Sequence, residues 1–104
     1  MNGRRYKLSI LPLFEDDLNE IADYITYRLR NPLAAEHLVD EVERAIDGRL
    51  DCAEFFESYR SSRERKHSYY RIQLKNFSIF YAVIGNTMEV RRMIYSRHNL
   101  KDLI

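Results

Sequence analysis

Apolar and polar positions divide the chain into two regimes, one with a repeat near 3.6 and one with a repeat of two. From residue 68 onward the repeat is two. Tyr70, Ile72 and Leu74 alternate with Tyr69, Arg71, Gln73 and Lys75, which predicts a half-buried strand over Ser68–Lys75. Phe77–Ile84 has apolar residues on both sides, with only Ser78 polar, and reads as an interior strand. Gly85-Asn86 supplies residues that tolerate positive φ, so a third strand, Thr87–Tyr95, returns antiparallel beside the second. The polar group Ser96-Arg97-His98-Asn99 closes this half. Alternation places Tyr69, Arg71, Gln73 and Lys75 on a cationic, aromatic face, and the outgoing residues Arg91, Arg92, Tyr95 and Arg97 add to the cationic surface. Arg91 and Arg92 are neighbours on a strand and fall on opposite faces, so at most one joins Arg71 while the other is free to pair with helix carboxylates.

Before that region, Tyr6–Leu11 alternates as a first strand and Pro12 ends it. Proline suits the first helical position, and Glu15, Asp16 and Asp17 lie in the first turn, where carboxylates meet the positive end of the dipole. Phe14, Leu18, Ile21, Ala22, Ile25 and Leu29 then form one amphipathic stripe. Asn31-Pro32 ends this helix and caps a second, whose stripe is Ala35, Leu38, Val39, Val42, Ile46 and Leu50, with Glu36, Asp40, Glu41, Glu43 and Asp47 outside it. So short a connection predicts an antiparallel helical hairpin. Phe55 or Phe56 is expected to cover the core edge, Tyr59–His67 to be an exposed basic loop, and Leu100, Leu103 and Ile104 to cover the open side of the sheet. The order β-α-α-β-β-β makes an α+β fold: an antiparallel or mixed four-stranded sheet with an α-helical hairpin packed on one face.

With 104 residues the chain is expected to be a single domain, 1–104, large enough for one modest core. No apolar run approaches the roughly 20 residues of a membrane helix, and no signal-peptide pattern follows the basic start, so the expected location is cytoplasmic, with no membrane partner. The lone Cys52 cannot form an internal disulfide. Net charge is +1, yet the charges are segregated: residues 1–57 carry 7 Lys/Arg against 13 Asp/Glu, and the remainder 10 against 3. A basic half suits nucleic acid or an acidic peptide, and equally a sheet with a solvated basic face. His37, His67 and His98 lack ligand spacing, there is no cysteine pair and no Gly-rich phosphate loop, so neither a metal nor a cofactor is implied.

Several stretches in this order carry a resemblance: Tyr6-Lys7-Leu8 leading to Pro12, Asp17-Leu18, Ile21 with Tyr24-Ile25, and Asn31-Pro32-Leu33-Ala34-Ala35. The strongest are Tyr70-Arg71-Ile72, Phe77-Ser78-Ile79-Phe80-Tyr81 and Val90-Arg91-Arg92-Met93-Ile94-Tyr95-Ser96-Arg97-His98-Asn99. Together they resemble the RelE/ParE superfamily, toxins of bacterial type II toxin–antitoxin systems. That resemblance implies a growth-arresting toxin held in a hetero-oligomer by a cognate antitoxin whose C-terminal segment wraps it, with Arg71, Lys75 and Arg97 as antitoxin-binding residues.

Two activities occur in the superfamily. RelE-like members cut mRNA on the ribosome, a reaction needing cations around the pentacovalent phosphate and groups that move two protons. Under that likeness Arg71 and Arg97 would stabilise charge, His98 would be the acid or base, and Lys75, Arg91 and Tyr95 would contact nucleic acid or another target. Two departures stand against it. Ser78 takes the place of a phosphate-binding arginine, and Asn99-Leu100 follows His98 where a tyrosine would stand. Ser78-Ile79-Phe80-Tyr81 and the Arg-His-Asn ending look more like ParE-like members, which poison DNA gyrase and lack a nuclease set. An interaction module without toxicity is a third reading. Each residue also has a structural role open to it: Arg97 and His98 can cap the sheet end, and Tyr69, Tyr81 and Tyr95 can pack within it.

Overall fold

The computed structural model describes residues 6–56, 58 and 68–95. The basic loop Tyr59–His67, the segment Ser96–Asn99 with Arg97 and His98, and the apolar residues Leu100, Leu103 and Ile104 lie outside the described residues. Within them the order is β1 (Lys7–Ile10), α1 (Pro12–Asp23) running into a π-helical turn (Tyr24–Arg28), α2 (Pro32–Arg49), β2 (Tyr69–Leu74), β3 (Phe77–Ile84) and β4 (Thr87–Tyr95). The sheet runs β1-β4-β3-β2, with β1 parallel to β4 and the other pairs antiparallel. The predicted α+β architecture and strand order along the chain are therefore the observed ones.

Both helices cover one face. Phe14 of α1 and Leu38, Val42, Ile46 and Leu50 from α2 and its cap bury against Ile72, Ile79, Tyr81, Met88, Val90 and Met93. Asn31 caps α2 by accepting the Ala34 N–H at 3.1 Å, and Pro32 opens it, as the sequence indicates. Leu11 gives α1 no side-chain cap. Gly85, at φ +61, makes the tight β3–β4 turn.

Four expectations change. Leu29 leaves the helical stripe and is 56% exposed. The Leu29 N–H bonds the Tyr24 carbonyl five residues back, so the π turn inserts an extra residue and rotates the end of the helix away from the core. Phe55 is exposed and Phe56 lies against the Arg49 guanidinium, 3.5 Å from ring centre to carbon, while Ala53 takes the buried position. Lys75 is not on the strand face with Arg71. It sits at φ +55 in the β2–β3 turn, and its Nζ meets Glu41 of α2 at 2.9 Å.

The fourth change concerns the face away from the helices, expected to be open and positive. Its centre is apolar and closed: Phe80, Ala82 and Ser78 are fully buried and Ile94 nearly so, with Tyr69 packed alongside. Its apolar character comes from β3, whose apolar residues occupy both sides. Positive charge survives at the margin, on Arg71 and Arg91.

Candidate interaction surfaces

Three side-chain groups occupy the sheet's surroundings, each built by a different element. At the C-terminal end of α2, Arg49 follows Ile46 by one helical turn and so stays on the apolar stripe, aimed at the sheet. Its Nη1 donates to the buried Tyr81 hydroxyl at 2.9 Å, and Tyr81 donates to the Ala53 carbonyl at 2.7 Å. Arg49 Nη2 also reaches the Arg71 carbonyl at 3.4 Å, joining α2 to the edge strand β2. Tyr70 stacks on Tyr81 with centroids 5.3 Å apart. Burial raises the Tyr81 pKa above the usual phenol value, and the Arg49 contact partly offsets this. Nearby, Tyr6 donates to Glu54 Oε1 at 2.6 Å, and that bond to a carboxylate pushes its pKa up to about 12.

The second group joins α1 to β4. Asp17 accepts from Arg92 Nε at 2.8 Å and Nη2 at 3.2 Å, and from the Met93 N–H at 3.0 Å. β1 stops pairing at Ile10, opposite Val90, and the Asp17 carboxylate takes up a donor that the short strand leaves uncovered further along β4. Of the two neighbouring arginines, Arg92 is thus the one that pairs with a helix carboxylate and does not join the cationic surface. Beside it runs a groove of about 670 Å³ between α1, the π turn and β4, lined chiefly by Ile21, Tyr24, Ile25, Phe77, Met93 and Tyr95.

The third group is on the opposite face. A register shift between Phe80 and Tyr81 pairs Phe80 with Arg92 and Tyr81 with Val90, leaving Arg91 as the extra residue of a bulge. Arg91 pairs with Glu89, donates to the Tyr69 hydroxyl at 2.8 Å, and keeps its Nε buried without a partner. Ser78 donates to Gln73 Oε1 at 3.2 Å, and Gln73 Nε2 donates to the Lys75 carbonyl at 2.9 Å.

Among the described residues, those expected to act together meet different neighbours. Arg71 is exposed on β2, Arg91 lies at the bulge, Lys75 faces α2, and Tyr95 packs on Phe77 at the groove, centroids 5.4 Å apart. Arg97 and His98 are outside the described residues. The sequence does not single out Asp17 or Arg49 as sheet-contacting groups. A charged residue on the apolar stripe is the available signal for Arg49, whereas nothing local distinguishes Asp17 from its acidic neighbours. No group of metal-ligating side chains occurs among the described residues. None of their helices is long and apolar enough to cross a membrane.

The same arrangement recurs in a chain of the chromosomal ParDE toxin–antitoxin system from P. aeruginosa, with a TM-score of 0.71 at 18% identity, covering 88% of this chain and 96% of that one. At that identity the likeness establishes the fold. No curated protein matches the sequence. The family model for the ParE toxin of the parDE type II toxin–antitoxin system matches residues 8–100, and the chain belongs to that family.

Proposed function

We propose that this toxin arrests growth by engaging DNA gyrase, without cutting RNA, and that a cognate antitoxin neutralises it by binding. The observation that carries the gyrase reading is Ser78. Where RelE-like enzymes hold a phosphate-binding arginine, this chain has a fully buried serine whose hydroxyl is spent on Gln73. Arg91, a second cation on that face, carries the Glu89 carboxylate against it, and a fixed negative charge there opposes an approaching phosphate. Lys75 is held by Glu41 on the helix side. Phosphoryl transfer through a pentacovalent state relies on cations converging on one point. Lys75, Arg91 and Arg92 are each paired with a different carboxylate, Glu41, Glu89 and Asp17.

Induction of the chain in bacteria, with plasmid supercoiling and transcript integrity followed together, tests the reading. Loss of supercoiling and DNA damage with intact transcripts is the expected result. Codon-periodic cuts in mRNA with supercoiling unchanged would assign the ribosome instead. Co-expression of the neighbouring small reading frame is expected to restore growth.

A further inference from the structure

The two edges of the sheet are finished differently. On β2, the Arg71 carbonyl receives the Arg49 guanidinium. On β1, the Lys7 N–H bonds Asn86 and the Leu11 N–H bonds Val90, so alternation along the parallel pair turns the N–H and C=O groups of Leu8 and Ile10 outward. The Tyr6 N–H points the same way and is met by the Leu50 carbonyl at 2.8 Å. Leu8 and Ile10 have no such partner among the described residues. Leu8 lies on the core side, paired in register with the fully buried Met88, yet is 46% exposed, so the apolar layer is also unfinished at this edge. An edge with unpaired backbone groups and an uncovered apolar side chain is a template for another strand.

We infer that the outer edge of β1 accepts a short extended segment of the antitoxin as a fifth strand, bonded to the backbone of Leu8 and Ile10. This rests on the antitoxin reading given above. Leu50 closes the edge at one end and Pro12 at the other, so the added strand is about four residues long. A second copy of the chain is a poor occupant, because two four-residue edges bury far less than the roughly 1,000 Å² that a stable dimer requires. A heterologous partner can bury more surface elsewhere. Lys7, preceded in the sequence by Arg4 and Arg5, favours an acidic residue beside the strand, and Leu8 favours an apolar one facing the helices.

Amide hydrogen exchange resolved to single residues tests this on the chain alone and on the complex co-purified with the protein from the adjacent reading frame. The expected result is protection of the Leu8 and Ile10 amides that rises at least about tenfold on complex formation, with Lys7 and Leu11 protected in both states. A complex that leaves Leu8 and Ile10 exchanging as in the free chain overturns the inference and leaves antitoxin binding standing. Failure to form a complex removes the antitoxin reading and the inference with it. Protection in the free chain that rises with its concentration would name a second copy as occupant and also overturn it. Leu8→Pro supplies a second arm: it deletes an outward donor and spares the bonds to β4, as edge strands permit. Its antitoxin affinity is expected to fall at least about tenfold, the scale of one lost backbone hydrogen bond. Unchanged affinity in a variant that keeps the Lys7 and Leu11 protection would contradict it.

Discussion

Tyr81 concentrates several of the fold's constraints in one side chain. It is fully buried in the middle of β3, stacked on Tyr70, and bonded through one hydroxyl to both Arg49 and Ala53. Replacement by phenylalanine preserves the ring and strands the Ala53 carbonyl, so Tyr81→Phe is expected to lower unfolding free energy by about 1–3 kcal/mol in urea denaturation. The same chemistry shapes the alkaline side of the stability curve. Tyr6 ionises at about 12 in the folded chain against 10.0 for an unperturbed phenol, and Tyr81 is shifted the same way. A raised folded pKa favours the protonated state, so this stabilisation is complete below pH 10 and is lost as pH rises through the folded values. Ultraviolet titration of the phenols should show Tyr6 ionising late, and Tyr6→Phe should shrink the late step by one phenol while Tyr81 remains in it. An unchanged late step in Tyr6→Phe would assign it elsewhere.

Among the elements, the short β1 has the widest consequences. Because it pairs with only the first part of β4, Asp17 of α1 supplies the acceptor for Met93 and anchors Arg92 in the same contact. Asp17→Ala leaves a partly buried arginine and a strand N–H without that acceptor, and is expected to cost about 2 kcal/mol in chemical denaturation. A loss no larger than that of an exposed neighbour such as Asp16→Ala would mean that the carboxylate contributes little to joining α1 and β4. The elements themselves are legible in the sequence. Period-two runs locate β1 through β4, Asn31-Pro32 marks the start of α2, and the adjacent Arg91 and Arg92 imply that one of them pairs with a helix carboxylate without saying which. The errors come where geometry departs from regular repetition. The π turn displaces Leu29, positive φ turns Lys75 off its strand, and a bulge frees Arg91 from simple alternation. None of these has a local sequence signature comparable to a cap or a stripe.

For the molecule as a whole, family and fold agree: a ParE toxin of a type II toxin–antitoxin system, with both helices on one face of a mixed sheet. Charge segregation along the chain suggests one open cationic face. In three dimensions the described cations are distributed, with Arg92 on Asp17, Lys75 on Glu41, Arg91 on Glu89 and Arg71 at the margin. Composition counts charges and is blind to their partners, which are fixed only when helix and strand are brought together. A buried Ser78 and separated cations fit a toxin that acts by binding. The most direct test is a supercoiling assay with purified gyrase, relaxed plasmid and the purified chain. Loss of supercoiling that the cognate antitoxin reverses is the result this account predicts. Full gyrase activity at a large excess of chain, with the same preparation cleaving mRNA on ribosomes, would contradict it.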